Sequence, residues 1–361
     1  MTSPHPRPGL QHVAPYVPGA REIEGTADPI KLSANESPLG PSPRAIAAYH
    51  ALAPTLFRYP DASQRGLRAA IGQVYEVEPE RVICGNGSDE VLSFLIRAYA
   101  GVGDEVILSQ YSFGMCFTHT HVQGAKVVVA PEPDCRISVS EILSRVSPQT
   151  KMVILASPNN PCGTYLPMRE LRQLHAALPA SVLLVLDAAY AEYVSSSDYD
   201  SGITLARTAD NVVVTHTFSK LYGLAGLRIG WGYGPARVID NLQRIRTPFN
   251  TNAAALAAAE AAVLDRDHAR MVREHTDRWR SRLIRECSAL GLEVIPSATN
   301  FILILLQSGA RDAVAAVAHL KKRNIIPRPL GAGGPDNALR ITIGLDSDNE
   351  AVIAALREFM S

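Results

Sequence analysis

The stretch Thr215-His216-Thr217-Phe218-Ser219-Lys220-Leu221-Tyr222-Gly223-Leu224-Ala225-Gly226-Leu227-Arg228-Ile229-Gly230 sets one lysine among hydroxyls and glycines, with an arginine downstream. A lysine amine attacks a carbonyl only when neutral, a state favoured by a desolvated or cation-rich pocket, and the product is a Schiff base. Thr217, Ser219 and Arg228 add two hydroxyls and a planar guanidinium fork, which suit a phosphate dianion. Upstream, the apolar run 182–186 ends on Asp187. A carboxylate closing a buried strand is costly unless a cation meets it. A bare Ser-Lys pair would be an ordinary surface lysine beside a turn; the surrounding residues make it a holder of phosphorylated aldehydes.

The elements that must position these groups follow from the apolar pattern. Runs at 105–109, 126–130, 152–156, 182–186 and 212–215 are rich in β-branched or aliphatic residues, and several are separated by helix-length segments. Continuous apolarity predicts strands buried on both faces, hence an α/β fold with a mainly parallel sheet covered by helices. Functional residues then gather just past the strand ends. A short strand at 82–84 runs into Gly85-Asn86-Gly87-Ser88-Asp89-Glu90 and a helix. Free backbone N–H groups at such a helix start form an anion site, where Ser88 serves as N-cap, phosphate ligand or both. Pyridoxal phosphate carries an aldehyde, a phosphate and a protonated ring nitrogen that Asp187 would meet.

Further helices are expected over 43–51, 64–79 and the alanine-rich 253–264. From about residue 270 the pattern becomes a charged helix to about 290, strands at 292–296 and 300–304, a helix at 311–322, strands at 324–328 and 339–344, and a last helix opened by the capping box Ser347-x-x-Glu350. This is a smaller α+β domain. The division expected is a proline-rich extended arm over 1–30, a large cofactor-binding domain over 31–246, and a hinge helix with the small domain over 247–361. Arg340, amid β-branched neighbours, needs a partner: a substrate carboxylate held bidentately or an internal salt bridge.

The totals of the 361-residue chain exclude other classes. Hydrophobic residues are 47% and charged ones 19%, with Lys+Arg and Asp+Glu equal at 35 each, so neither a disordered chain nor a nucleic-acid binder fits. Five scattered cysteines, an odd number without metal-ligand spacing, point to a reducing cytoplasm and no metal. The N-terminus lacks the apolar core of a signal peptide, and no apolar run reaches the ~18 residues of a membrane span, so a soluble protein is expected. His119, His121 and His216 lack the partners of a metal site.

The run Ser219-Lys220 followed by Gly223-Leu224-Ala225-Gly226-Leu227-Arg228-Ile229-Gly230 resembles the cofactor-lysine segment of the fold-type I aminotransferases, in particular the histidinol-phosphate aminotransferases. The resemblance extends from about residue 14 to the C-terminus. It includes Pro15-Tyr16-Val17-Pro18-Gly19, the stretch 32–40 with Asn35, Arg58-Tyr59-Pro60-Asp61, Ser157-Pro158-Asn159-Asn160-Pro161-Cys162-Gly163, Asp187-Ala188-Ala189-Tyr190 and Leu339-Arg340-Ile341-Thr342-Ile343-Gly344. It implies that Lys220 holds pyridoxal 5'-phosphate, that Asp187 faces its ring nitrogen, and that Asn160 and Tyr190 share its phenolic oxygen. Tyr111 is assigned the ring face, and Gly87, Ser88, Asp89, Thr217, Ser219 and Arg228 the phosphate. It further implies that Tyr16, Asn35, Arg328 and Arg340 meet substrate, with Arg328 near a substrate phosphate. A homodimer is implied in which Tyr59 enters the neighbouring site, with Asn250 and Asn252 near the partner's pocket.

Two positions depart from the family: Cys162 stands for threonine, and His216 where relatives often carry arginine. The activity implied is transfer of an amino group between L-histidinol phosphate and 2-oxoglutarate in histidine biosynthesis. Aromatic amino acid aminotransferases and a threonine-phosphate decarboxylase share the scaffold, and Phe249 and Tyr16 suit an aromatic substrate equally. Non-catalytic sensors pair such a domain with a DNA-binding module, for which the arm here is too short and proline-rich.

Overall fold

Apolar runs without polar alternation offer no face to water, and the chain stacks them edge to edge between two layers of helices. The computed structural model describes residues 4–361; the first three residues of the expected arm lie outside it. After a two-residue strand, β1 (Ile30–Lys31), the central sheet takes β2 (Val82–Gly85), β3 (Glu105–Ser109), β4 (Lys126–Ala130), β5 (Thr150–Ala156), β6 (Leu183–Asp187), β7 (Val212–Thr217) and β8 (Gly230–Tyr233). Its order is β2-β8-β7-β6-β5-β3-β4. The pairings from β4 through β7 are parallel, and only β8, flanked by β7 and β2, runs antiparallel to its neighbours. Every residue of β6 and β7 is buried. One face packs against helices Arg65–Tyr75, Met168–Ala177 and Ala253–Leu264, the other against Ser88–Tyr99 and Ala236–Ile245.

Strand β8 is not among the expected runs, because Gly-Trp-Gly-Tyr lacks the β-branched signal. Its glycines are required by packing. A Cβ at Gly230 would collide with the Ser88 nitrogen, the Gly87 carbonyl carbon and the His216 oxygen, and one at Gly232 would press on Val91. Strand β8 therefore lies directly under the start of the helix that follows Gly87.

The C-terminal part forms a four-stranded antiparallel sheet from β9 (Glu293–Ile295), β10 (Phe301–Leu305), β12 (Arg328–Pro329) and β13 (Ala338–Thr342), in the order β12-β13-β10-β9. The single strand expected over 324–328 is split: β11 (Ile325–Ile326) pairs in parallel with β1, and Pro327, which has no N–H to donate, separates it from β12. A second core forms here around Leu32, Trp279, Leu283, Ile302, Ile304, Ile341, Val352 and Leu356.

Two local expectations need correction. The last helix begins at Asp346, so Ser347 already lies in its first turn and the cap is closed by the Asp348 carboxylate, which accepts from the Leu345 N–H at 2.9 Å. Glu350 pairs instead with Arg282 at 2.7 Å. The N-terminal arm is not wholly extended. Pro8–His12 winds into a 3-10 turn, with proline presetting φ, and sits on helix Gly114–Gln123, Gly9 against the His121 carbonyl. Among the described residues no helix is long and apolar enough to cross a membrane.

Replacing Gly230 by alanine should lower stability by roughly 1–3 kcal/mol through overpacking. The denaturant midpoint measures this, and an unchanged midpoint would show that β8 does not press on the helix start.

Candidate active site

A cavity of about 480 Å³ lies at the carboxyl ends of β5, β6 and β7. Ala156, Asp187 and Thr217 end these strands at its floor, and Lys220, Tyr190, Asn160, Ser219, Arg228, Ser88 and Asp89 line it. Nine sequence-predicted residues are thus brought to one place. Parallel strands end there in unpaired backbone groups and short loops, which is why side chains from distant parts of the chain converge.

Asp187, the last residue of β6, is 7% exposed and accepts a hydrogen bond from Thr215 Oγ1 at 3.1 Å. Burial pushes its pKa up to about 6; the Thr215 hydroxyl and nearby His216 oppose the rise, and the Asp89 charge adds to it. Lys220 Nζ lies 3.2 Å from the Ala34 carbonyl oxygen. Burial pushes its ammonium down to about 8; Arg340 and Arg228 add to the shift, while Glu36 and Asp187 oppose it. One cause acts on both groups: removal from water disfavours each charged form. The result is a lysine that is half neutral near pH 8.

The anion cradle lies beside Lys220. Gly87, at φ 82°, is the N-cap of helix Ser88–Tyr99, so Ser88 is the first helical residue and its hydroxyl does not cap. The first-turn N–H groups have no acceptor within the helix. Arg228 Nη1 donates to Ser219 Oγ at 3.1 Å, and a Cβ at residue 87 would sit 2.6 Å from Arg228 Nη2. Glycine is needed there for both its φ and this approach. Thr217 Oγ1 accepts from the Ser219 N–H at 3.1 Å, and the Asp89 carboxylate meets His119 Nε2 at 3.0 Å. A guanidinium, two hydroxyls and a helix start fit a phosphate; an amine and a buried carboxylate beside it fit the rest of pyridoxal phosphate.

Beneath the glycine turn, Asn250 Nδ2 donates to Glu90 Oε2 at 2.6 Å, Asn86 Nδ2 to the Asn250 carbonyl at 2.6 Å, and Gln64 Nε2 to Asn250 Oδ1 at 3.1 Å. Asn250 therefore supports the cradle, and Asn252 caps helix Ala253–Leu264 through the Ala255 N–H at 2.7 Å. Both side chains are hydrogen-bonded within their own subunit.

Tyr111 does not reach the cavity. Its ring packs with Cys135, Cys162, Ile295 and Leu303, and its N–H donates to the buried Glu132 at 3.1 Å. Besides Tyr190, Phe113, directly before helix Gly114–Gln123, lines the cavity. The missed signal was position: the residue at the loop-to-helix junction faces the crevice, as Gly87 and Ser88 do. Arg21 and Glu36, which also line the cavity, come from stretches with no such pattern.

Ala34 and Glu36 also line the cavity, and hydrogen bonds tie their segment to the small sheet. Tyr190 Oη accepts from Asn35 Nδ2 at 2.8 Å, and Asn35 Oδ1 accepts from Thr342 Oγ1 at 3.1 Å. Arg340 Nη1 donates to Asn160 Oδ1 and Nη2 to the Ser33 carbonyl at 2.8 Å, while Nε has no partner. No ion pair among the described residues involves Arg340, so the internal salt bridge is not formed. Burial pushes its guanidinium down to about 10, with Arg328 adding to the shift. Arg328 faces Arg340 directly across β12 and β13. Opposed like charges destabilise a strand pair unless an anion lies between or beside them. Tyr16 and Tyr59 are 70% and 83% exposed and stand outside the cavity, Tyr59 stacked on Phe249 with ring centres 4.7 Å apart.

Among known proteins, the family model for aminotransferase class I and II matches residues 27–356. A histidinol-phosphate aminotransferase of Rhodopseudomonas palustris strain HaA2 is 52% identical over 363 residues, covering all of both chains. One from Paramagnetospirillum magneticum is 48% identical over all of this chain and 99% of its own. Among solved structures, histidinol-phosphate aminotransferase from Sinorhizobium meliloti in complex with pyridoxal-5'-phosphate superposes with a TM-score of 0.87 at 29% identity, covering 98% of this chain and 96% of that one. An aspartate aminotransferase from Thermus thermophilus, with maleate, shares the fold at a TM-score of 0.81 and 22% identity over 92% of each chain.

The shift at Asp187 has a checkable sign. Its folded pKa lies above that of the unfolded chain, ~4, so its contribution to the stability of cofactor-free protein is present below that pH and lost as pH rises through about 6. Asp187→Asn should therefore stabilise cofactor-free protein at pH 7 by about 2–3 kcal/mol. Urea unfolding at pH 4 and 7 measures this, and a variant no more stable than its parent at pH 7 would contradict it.

Proposed function

The chain belongs to the aminotransferase class I and II family, and we propose that it transfers the amino group between L-histidinol phosphate and 2-oxoglutarate with pyridoxal 5'-phosphate as cofactor. The observation that carries this reading is that Lys220, Asp187 and the Arg228 cradle share one cavity. When bound, the cofactor supplies a ring that draws electron density from the substrate's α-carbon.

Asp187 would hold a proton on the ring nitrogen, its burial favouring a cationic partner. Asn160 and Tyr190 would hold the phenolic oxygen. Thr217, Ser219, Arg228 and the N–H groups of residues 88 and 89 would hold the phosphate, with Gly87 giving it close approach, and Phe113, in place of Tyr111, would cover the ring face. Lys220 Nζ, neutral above about pH 8, would take the proton from the amino substrate's α-carbon in one half-reaction and deliver a proton to the keto acid's α-carbon in the other. Arg340 and Arg328 receive the substrate's anionic end, with Asn35 and Tyr16 beside them. The same groups run the second half-reaction backwards with the keto acid, so the kinetics are ping-pong.

Members of this family are typically dimeric. We extend this to a homodimer in which Tyr59 of one protomer completes the neighbouring site. Supporting it, Leu56, Phe57 and Tyr59 are 64%, 79% and 83% exposed in one contiguous stretch, more apolar surface than a lone chain leaves without a partner. The division into an arm over 1–30, a large domain over 31–246 and a hinge with a small domain over 247–361 is part of this proposal, as is a cytoplasmic location, which five free, buried cysteines suit.

Two experiments test the reading. Lys220→Ala should lower turnover with histidinol phosphate by roughly 10²–10⁴-fold or more; a variant with full turnover would eliminate it. Arg328→Ala should cost ~1.5–3 kcal/mol in kcat/KM for histidinol phosphate and spare phenylalanine. Equal losses for both substrates would remove the phosphate from its role.

A further inference from the structure

Behind the cavity floor lies a buried polar cluster that none of these steps uses. Side chains alternate along β7, so Thr215 and Thr217 face the cavity while His216 between them points through the sheet. His216 is 1% exposed; its Nδ1 lies 2.8 Å from Glu192 Oε1, and its ring stacks on Trp231 at 4.4 Å and 6°. The same carboxylate oxygen accepts from Tyr75 Oη at 2.8 Å, and Tyr75 Oη lies 2.9 Å from Tyr222 Oη. Burial pushes the Tyr75 phenol well up, which keeps it an O–H donor. The titratable groups around the imidazole are thus Glu192 and Tyr75, with Tyr222 beyond and Asp187 across the sheet.

Glu192 stands two residues after Tyr190, and His216 directly follows Thr215. Their bond therefore brackets the end of β6 and the end of β7 from behind. In front, Thr215 bonds the Asp187 carboxylate at 3.1 Å and its carbonyl accepts from the Ala188 N–H at 2.8 Å. We propose that Glu192 and His216 are a positioning pair, which holds the loop that leaves Asp187 and carries Tyr190 against the strand leading to Lys220. This rests on the aminotransferase reading. Cohesion alone does not explain the pair, because apolar side chains beside Trp231 would pack as well, and a buried ionic pair is commonly no more stabilising than such a replacement. What apolar packing cannot supply is a directional bond that fixes one strand end against the other.

The test uses the cofactor-loaded enzyme. His216→Phe keeps a ring on Trp231 and removes the donor to Glu192; His216→Gln keeps a donor and removes the ring. For each, kcat, KM for histidinol phosphate, Tm and the pH at which the bound cofactor's absorbance changes are read. His216→Phe should lower kcat by about 10–100-fold with little change in KM, and shift the absorbance midpoint, in line with losses at groups that orient reacting residues. His216→Gln should stay within about threefold of the parent with an unshifted midpoint. The proposal is overturned if His216→Phe lowers only Tm, or if His216→Gln falls as far as His216→Phe. Should His216→Phe not fold, Glu192→Leu removes the same bond from the other side and should show the same loss of kcat and shifted midpoint; parental values would overturn the proposal. A parent that does not transaminate would defeat the functional reading instead, so the two failures are distinguishable.

Discussion

A carboxylate kept from water at the end of a buried strand is the constraint around which this molecule is arranged. Burial holds the Asp187 pKa up at about 6 although the Thr215 hydroxyl, nearby His216 and the Ala189 N–H all favour its charge. In the same cavity, the same exclusion of water brings Lys220 to about 8. The protein alone disfavours both charges. A ring bearing a cationic nitrogen at one end and an aldehyde at the other answers both at once, so the desolvation that costs stability is what selects the ligand.

The two sheets meet that ligand through one short segment. Residues 30–36 leave β1 paired with β11, then give the Ser33 carbonyl to Arg340 and the Asn35 side chain to Tyr190 and Thr342. Asn300 Nδ2 closes the other side on the Asn35 carbonyl at 3.0 Å. Tyr190, Asn35, Thr342 and Arg340 are therefore connected through hydrogen bonds rather than through apolar packing, which fixes directions as well as distances.

The parallel strands, the lysine stretch, the glycine turn and Asp187 were legible because each is a local pattern whose physics acts within a dozen residues. What was not legible depends on neighbours remote in the chain. Strand β8 is a strand because the Ser88 turn lies on it, and its glycines conceal this in sequence. Tyr111 and Phe113 are equally aromatic, and only the start of helix Gly114–Gln123 decides which faces the crevice. Asn250 reads as a loop residue until Gln64, Asn86 and Glu90, more than 150 residues earlier, are folded around it. The last helix starts two residues before its apparent box because Leu345 and Asp348 already satisfy the first turn.

Arg328 and Arg340 face each other on adjacent strands with no carboxylate between them. Two guanidiniums so placed repel, and Arg340 is buried enough that solvent screens the repulsion poorly. On the proposed reading the small sheet is consequently a valence gauge: the more negative charge a visiting molecule carries, the more of this repulsion it relieves, and a neutral one of the same size leaves it unrelieved.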